Sequence, residues 1–125
     1  MSAPPGRTVL VADDNPDQRA LYVDILSHAG FSVIEACDGA EAIARARPDR
    51  PAMILMDVTM PGTSGWNAVS AVRDQLETRD IPVIVITGLS QSHDRDASFA
   101  AGSDAYLSKP VSPRRLLEEV RRFLG

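Results

Sequence analysis

The sequence predicts an α/β fold, in which a five-stranded parallel sheet carries five helices on its two faces. Five short apolar runs alternate along the chain with five segments of helical length, and this alternation is typical of parallel sheets covered by helices. One run, Met53–Met56, is apolar without interruption, as expected for a strand buried on both faces. A buried helix would also tolerate such a run, but Pro61 and Gly62 follow too soon to leave room for one. A doubly wound sheet is therefore the simplest architecture.

Length, composition and charge exclude several classes of protein. With 125 residues, 44% of them hydrophobic and 24% charged, the chain fits one globular domain. No apolar run approaches the ~20 residues of a membrane helix, and the first residues lack the pattern of a signal peptide. The net charge of −4 gives no reason to expect nucleic-acid binding. The single cysteine, Cys37, cannot form an internal disulfide, so a reducing cytoplasm fits best and a packing role is expected.

The strand predictions follow the apolar runs. Residues 1–7 are predicted to be a flexible tail rich in proline and glycine, and residues 8–125 to be the folded domain. The predicted strands are Thr8–Ala12, Phe31–Ala36, Met53–Met56 with Asp57 at its carboxyl end, Ile81–Ile86, and Ala105–Ser108. Phe31–Ala36 alternates apolar and polar residues over part of its length, which indicates a strand near the edge of the sheet.

The helix predictions rest on caps and on the spacing of apolar residues. In the first helix Asn15 is the predicted cap, Pro16 takes the first position, and Gln18 stands where a capping-box partner would. The predicted apolar face is Leu21, Ile25, Leu26 and Ala29, and Gly30 ends the helix. The other predicted helices are 40–47 (capped by Asp38 and ended by Pro48), 66–77 (with Leu76 inward), 90–101, and a last helix that starts at Ser112 and Pro113.

Polar side chains follow four of the five predicted strands at the point where each strand ends. They are Asp13, Asp14, Asp57, Thr87 and Lys109. In a parallel sheet all carboxyl ends lie along one edge, which is where open α/β sheets bind ligands. Lys109 is the only lysine in a chain with twelve arginines, and an ammonium is not interchangeable with a guanidinium. Taken singly, each residue also fits a helix cap, a turn or a strand end, but together the five predict a site.

The predicted site has the chemistry of metal-assisted phosphoryl transfer. Three carboxylates repel one another unless a cation lies among them, and oxygen ligands suit Mg²⁺, with Mn²⁺ as a substitute. Such an ion would neutralise an incoming phosphoryl group and align it with Asp57, which would act as the nucleophile. Lys109 would supply a second cation, and Thr87 a hydroxyl donor.

Separated motifs along the chain, in the correct order, resemble the receiver domain of two-component response regulators. The matching elements are Val9–Asn15, Asp57–Gly62 with Gly65, Ile84–Gly88, and Gly102–Pro110. The resemblance covers essentially everything from Thr8 onward. It implies a flavodoxin-like sheet with the strand order 2-1-3-4-5. It also implies a phosphorylation-activated signalling switch, whose only chemistry is its own phosphorylation and dephosphorylation.

The resemblance implies how the phosphoryl group arrives. Asp57 would accept it from a phosphohistidine on a histidine kinase or a histidine phosphotransfer protein. The ligands of Mg²⁺ would be Asp13, Asp14, Asp57 and the main-chain carbonyl of Thr59. Lys109 would contact Asp57 and then the phosphoryl group, and its bond to Pro110 is expected to be cis.

The resemblance also implies how the signal is read and how long it lasts. Thr87 and Tyr106 would be switch residues that remodel the face formed by the last helix and the strand before it. Thr59 and Leu89 would flank the approach of water to the phosphate, and neither can orient a water molecule, so a long-lived phosphoprotein is expected. Trp66, the sole tryptophan, begins the third helix and is expected to report Mg²⁺ binding by its fluorescence.

The downstream partner is not specified by the sequence. Four arginines of the last helix predict a positive surface for an acidic partner or for a second copy in a phosphorylation-dependent dimer. They are Arg114, Arg115, Arg121 and Arg122.

Two other functions fit part of the pattern. A metal-dependent phosphatase with an aspartate nucleophile would need a second aspartate two residues after Asp57, where this chain has Thr59. A degenerate receiver would act only as a phosphorylation-independent protein-binding adaptor, but every expected site residue is present here.

Overall fold

A five-stranded parallel sheet forms the centre of the protein in a computed structural model. The structure describes residues 7–57, 64–88, 96 and 99–124, with only the backbone at 64–66. The strands are β1 (Thr8–Ala12), β2 (Ser32–Ala36), β3 (Met53–Asp57), β4 (Val83–Thr87) and β5 (Ala105–Ser108). Their order in the sheet is β2-β1-β3-β4-β5, and every neighbouring pair is parallel. The predicted fold and strand order are confirmed, including the position of β2 at an edge.

The helices alternate with the strands along the chain, as predicted. They are α1 (Pro16–His28), α2 (Gly39–Asp49), α3 (Ser64–Asp74) and a last helix, Pro113–Leu124. Residues 99–101 are also helical and fall within the helix predicted at 90–101. In the part of the chain that the structure describes, no helix combines the length and the apolar character needed to cross a membrane.

The core has two halves, one on each side of the sheet. Alternate residues of the central strands point to opposite sides, so the middle of the sheet is apolar on both. Tyr22 and Leu26 of α1 pack on one side, together with Leu116 and Val120 of the last helix. The other side is covered by Ala42 and Ala46 of α2 and by Ala68, Val69 and Val72 of α3.

The start of α1 differs from the prediction in one contact. Asn15 caps the helix, since its side-chain oxygen accepts from the main-chain N–H groups of Asp17 at 3.0 Å and Gln18 at 3.1 Å. The predicted capping-box role of Gln18 is wrong, because the N–H of Asn15 donates to Asp13 Oδ1 at 2.9 Å instead. This leaves the side chain of Gln18 available for a contact at the edge of the sheet.

Several sequence predictions of burial were wrong. Leu21 was expected on the apolar face of α1, but it is 55% exposed and its neighbour Tyr22 is buried in its place. Leu76 is 72% exposed because α3 ends at Asp74, before reaching it. Cys37 was expected to pack, but it is exposed in the turn before α2.

The end of α2 also differs from the prediction. Pro48 lies inside the last turn of the helix instead of ending it, and Arg50 follows as a left-handed cap. Proline has no N–H, so Pro48 cannot donate to the carbonyl oxygen of Ala44 one turn earlier, and the helix continues only to Asp49.

Arg73, near the end of α3, ties together the connections that lead into β4 and β5. Its guanidinium donates to the main-chain oxygens of Arg79 (3.0 Å), Ile81 (2.6 Å) and Gly102 (2.8 Å), and it pairs with Asp104. Gly102 has φ +112°, and a Cβ at this position would lie 2.6 Å from the Arg73 side chain. Glycine is therefore required here both by the backbone and by the close approach of Arg73.

Candidate functional site

Asp57 and Lys109 form the centre of the candidate site. Asp57 is the last residue of β3, and Lys109 directly follows β5. Lys109 Nζ lies 2.5 Å from Asp57 Oδ2, and the aspartate side chain is 1% exposed. The main-chain N–H of Lys109 donates to the oxygen of Thr87 at 2.8 Å, which continues the pairing of β5 with β4. The expected cis bond between Lys109 and Pro110 is present.

Asp13 reaches the same corner from the end of β1. Its main-chain N–H donates to the oxygen of Ala36 at 3.0 Å, and Arg19 Nη1 donates to its carbonyl oxygen at 2.7 Å. The side chain is buried, and its Oδ1 accepts from Asn15. Asp13 Oδ2 is also buried, and among the described residues no donor reaches it.

The electrostatics of this corner are unfavourable for two carboxylates. The pKa of Asp13 is raised from 3.8 to about 6, with burial as the largest cause. Within this net shift, the neighbouring Asp57 carboxylate also raises the pKa of Asp13, while the N–H of Asn15 and the Lys109 ammonium lower it. One ammonium therefore does not fully offset two buried carboxylates, and a second cation would be stabilised here.

The donor atoms at this corner fit a hard divalent ion. They are carboxylate oxygens, and the Oδ2 atom of Asp13 is left without a donor, as a metal ligand would be. Asp14 is exposed, and the described part of the chain has no three acidic, histidine or cysteine side chains already gathered at one point. The predicted ligand Thr59 and the predicted lifetime residue Leu89 lie outside the described residues, so their roles stay predictions.

The two predicted switch residues lie on neighbouring strands. Thr87 is fully buried at the end of β4, opposite Ser108. Tyr106 is half-buried in the edge strand β5 and packs on the side of the sheet that carries α2 and α3. The last helix packs on the other side, against residues such as Leu107. The Tyr106 side chain and the last helix, which together form the predicted switch face, therefore lie on opposite sides of the sheet at β5.

Two side chains of the first turn of α1 reach the site and were missed by the sequence analysis. Gln18 Oε1 accepts from Lys109 Nζ at 2.7 Å. Arg19 joins the Asp13 carbonyl to Glu35, which accepts from Arg19 Nε at 3.2 Å. Side chains of a helix lean toward its N-terminus, and α1 begins at the carboxyl edge of the sheet. That direction is the signal that could have identified both residues.

Three of the four arginines of the last helix pair with carboxylates of the same helix, so the positive surface is weaker than the sequence predicts. Arg115 and Arg122 both donate to Glu119, whose side chain is 4% exposed. Arg114 pairs with Glu118 at 3.2 Å. Much of the expected positive surface is thus neutralised by acidic side chains of the same helix.

The family of the chain follows from a comparison of its sequence with known families. Residues 9–121 match the model of the response regulator receiver domain. The chain belongs to this family. Receiver domains are signalling switches that interact with histidine kinases and downstream effectors, and the family assignment made from the sequence motifs is confirmed.

Known relatives and solved structures agree with this assignment. The polar-differentiation response regulator DivK of Brucella anthropi is 34% identical over 95% of this chain and 97% of its own length. The structure of the chemotaxis protein CheY4 of Vibrio cholerae is 34% identical, covers 94% of this chain and 98% of its own, and has a TM-score of 0.87. The receiver domain of the sensor histidine kinase PA1611 of Pseudomonas aeruginosa is 31% identical over 96% and 98% of the two chains, with a TM-score of 0.87. That structure has a magnesium ion coordinated in its active-site cleft.

Proposed function

We propose that this receiver domain is a phosphorylation-activated switch in which Asp57 is the phosphoacceptor. The observation that carries the proposal is the buried pair of Asp57 with Lys109, the only lysine of the chain, at the carboxyl edge of the sheet. A buried aspartate that ends a strand and faces an ammonium is suited to nucleophilic attack on phosphorus. The donor would be a phosphohistidine on a histidine kinase or a histidine phosphotransfer protein.

The transfer exchanges one phosphorus bond for another. An oxygen of Asp57 attacks phosphorus and forms an acyl phosphate, while the bond from phosphorus to the histidine nitrogen breaks and the imidazole leaves with the electron pair. Lys109 Nζ, already 2.5 Å from Asp57 Oδ2, is within reach of the phosphoryl oxygens on that side. Thr87 supplies a hydroxyl from the end of the adjacent strand β4. Both groups oppose the negative charge that the transition state carries.

We assign Mg²⁺ as the metal, with Mn²⁺ as a substitute. Asp13 and Asp14 would hold it, directly or through water, together with Asp57 and the main-chain carbonyl of Thr59. The ion would offset negative charge on the phosphoryl group and keep it in line with Asp57. The raised pKa of Asp13 and its unpaired Oδ2 atom support this assignment, as does the magnesium ion in the PA1611 receiver domain.

The output of the switch is a change of surface around β5. Tyr106 packs on one side of this edge strand and the last helix on the other, so a shift at Thr87 is able to reach both. The proposed reader is a downstream protein, or a second copy of the chain in a phosphorylation-dependent dimer. Because the one cysteine forms no internal disulfide, we place the protein in the reducing cytoplasm.

The proposal is tested by the mass of the intact protein after incubation with Mg²⁺ and a small acyl phosphate. We expect one added phosphoryl group that is stable in acid and labile in base, and that does not form without the metal. Asp57→Asn is the matched control and should stay unmodified. A wild-type mass that does not change, under conditions that label another receiver domain, would favour the adaptor function instead.

A further inference from the structure

The side chain of Gln18 lies beside the central ion pair. It belongs to the first turn of α1, and its Oε1 accepts from Lys109 Nζ at 2.7 Å, although the two residues are 91 positions apart in the sequence. The same ammonium lies 2.5 Å from Asp57 Oδ2. We propose that Gln18 is a positioning residue, which holds the Lys109 ammonium against Asp57 through its amide oxygen. Its effect on phosphoryl transfer rests on the proposed function, whereas its effect on Lys109 does not.

An ammonium on a four-carbon side chain needs more than one contact to be fixed in place. Lys109 carries three N–H donors on a flexible chain, so a single ion pair leaves the group free to move around Asp57. Here a second acceptor comes from a different element, α1, and the two oxygens hold Nζ from β3 and from the helix. The ammonium is thus placed before any phosphoryl group arrives, which lowers the reorganisation needed in the transition state.

Gln18 is itself held in a defined position. Its main-chain N–H donates to Asn15 Oδ1 at 3.1 Å, which fixes the first turn of α1. One turn further, the buried Tyr22 lies next to the glutamine amide. Burial raises the pKa of the Tyr22 hydroxyl, and the nearby Gln18 side chain lowers it.

Lys109 also borders a groove on the side of α1. This groove of about 420 Å³ lies between α1 and the segment after β5, and it is open to solvent. The residues that line it are Gln18, Leu21, Tyr22, Lys109, Pro110 and Val111. The Lys109 side chain is 19% exposed, so it has a path into this groove. Without the Gln18 acceptor, we expect the ammonium to turn partly toward the groove and toward water.

The expected effect is large enough to measure. A hydrogen bond to a charged group contributes enough to stability to change an equilibrium about tenfold or more. We therefore expect Gln18→Met, which keeps the length of the side chain but removes the acceptor, to slow phosphorylation by a small acyl phosphate about tenfold. Gln18→Glu restores an acceptor oxygen at the same distance and should recover most of the effect on Lys109.

Lys109 can be observed directly, because it is the only lysine of the chain. Labelling with ¹⁵N- and ¹³C-lysine gives one side-chain signal by NMR, whose shift and ammonium proton exchange report its hydrogen bonds. In the resting protein, Gln18→Met should shift this signal and speed up the exchange, while Gln18→Glu should move both back toward wild type. Leu21→Ala is the matched control, since Leu21 lines the same groove without a described contact to Lys109.

Each outcome decides the proposal. An unchanged Lys109 signal in Gln18→Met would overturn it, as would the same change in Leu21→Ala. If Gln18→Met does not fold, Gln18→Ala replaces it, with folding checked by thermal unfolding. If no variant and no wild type accepts phosphate, but the Lys109 signal responds as expected, the positioning role stands and the proposed function fails. If phosphorylation slows while the Lys109 signal is unchanged, the slowing has another cause and the positioning role is rejected.

Discussion

Replacing Asp13 by asparagine should stabilise the metal-free protein at neutral pH. Burial, together with the adjacent Asp57, raises the pKa of Asp13 from 3.8 to about 6. A carboxyl group whose pKa is raised in the folded state contributes most stability at low pH, where it is protonated, and loses that contribution as the pH rises through about 6. A shift of about two units corresponds to about 3 kcal/mol. Asparagine has nearly the same shape and no charge, so it removes this cost.

Urea unfolding in EDTA measures the difference. At about pH 7.5 the free energy of unfolding of Asp13→Asn should exceed that of the wild type by about 3 kcal/mol, and at about pH 5 by about 1.5 kcal/mol. Saturating Mg²⁺ should stabilise the wild type and leave Asp13→Asn nearly unchanged, so the difference between their free energies of unfolding should decrease. Asp14→Asn is the matched control, because Asp14 is exposed and its replacement should change the stability by less than about 0.5 kcal/mol. A constant gap across this pH range, or a less stable Asp13→Asn at neutral pH, would refute the reasoning.

Three further predictions concern the switch, the fold and the signal lifetime. Lys109→Arg should fold and accept phosphate but fail to reach the active arrangement, because a planar guanidinium does not replace a compact ammonium. Binding of the phosphorylated variant to its partner measures whether the active arrangement forms. Arg73→Met should lower the free energy of unfolding by about 3 kcal/mol, since it removes a guanidinium bound to three main-chain oxygens. Urea unfolding measures this loss of stability, with Arg79→Met as the control. The double variant Thr59→Asn, Leu89→Glu should lose phosphate at least several-fold faster, because the introduced amide and carboxylate can orient a water molecule. The rate of phosphate release from the folded double variant checks this.

Each of these predictions has an outcome that contradicts it. Normal partner binding by phosphorylated Lys109→Arg would show that any cation is sufficient. Equal stability of Arg73→Met and Arg79→Met would show that the contacts of the guanidinium contribute little to the fold. A well-folded double variant at Thr59 and Leu89 with an unchanged phosphate lifetime would show that these positions do not control the access of water.

The central ion pair was predictable because the sheet itself brings it together. Asp57 and Lys109 each end an apolar run, and parallel strands place such ends on one edge. The position of Asp13 at the same edge was predictable in the same way. The strand order followed from the resemblance of the motifs to a known family, because alternation along the chain does not by itself specify the order of strands.

The remaining details depend on side-chain directions that the sequence pattern does not specify. Leu21 and Tyr22 are adjacent, and a rotation of α1 by less than one third of a turn decides which of them faces the core. Gln18 fits a helix-capping pattern equally well, and only the tertiary approach of Lys109 reveals its other partner. Leu76 continues an apolar spacing beyond the residue where α3 ends, so periodicity overestimated the helix.

The central claim is that Asp57 receives the phosphoryl group. The most direct measurement is to treat the phosphorylated protein with borohydride, which reduces an acyl phosphate to the corresponding alcohol, and then to identify the modified residue by peptide mass. We expect the modification at Asp57 alone, dependent on Mg²⁺, and absent from Asp57→Asn. Modification at Asp13 or Asp14 in the wild type, or full labelling of Asp57→Asn, would contradict the account.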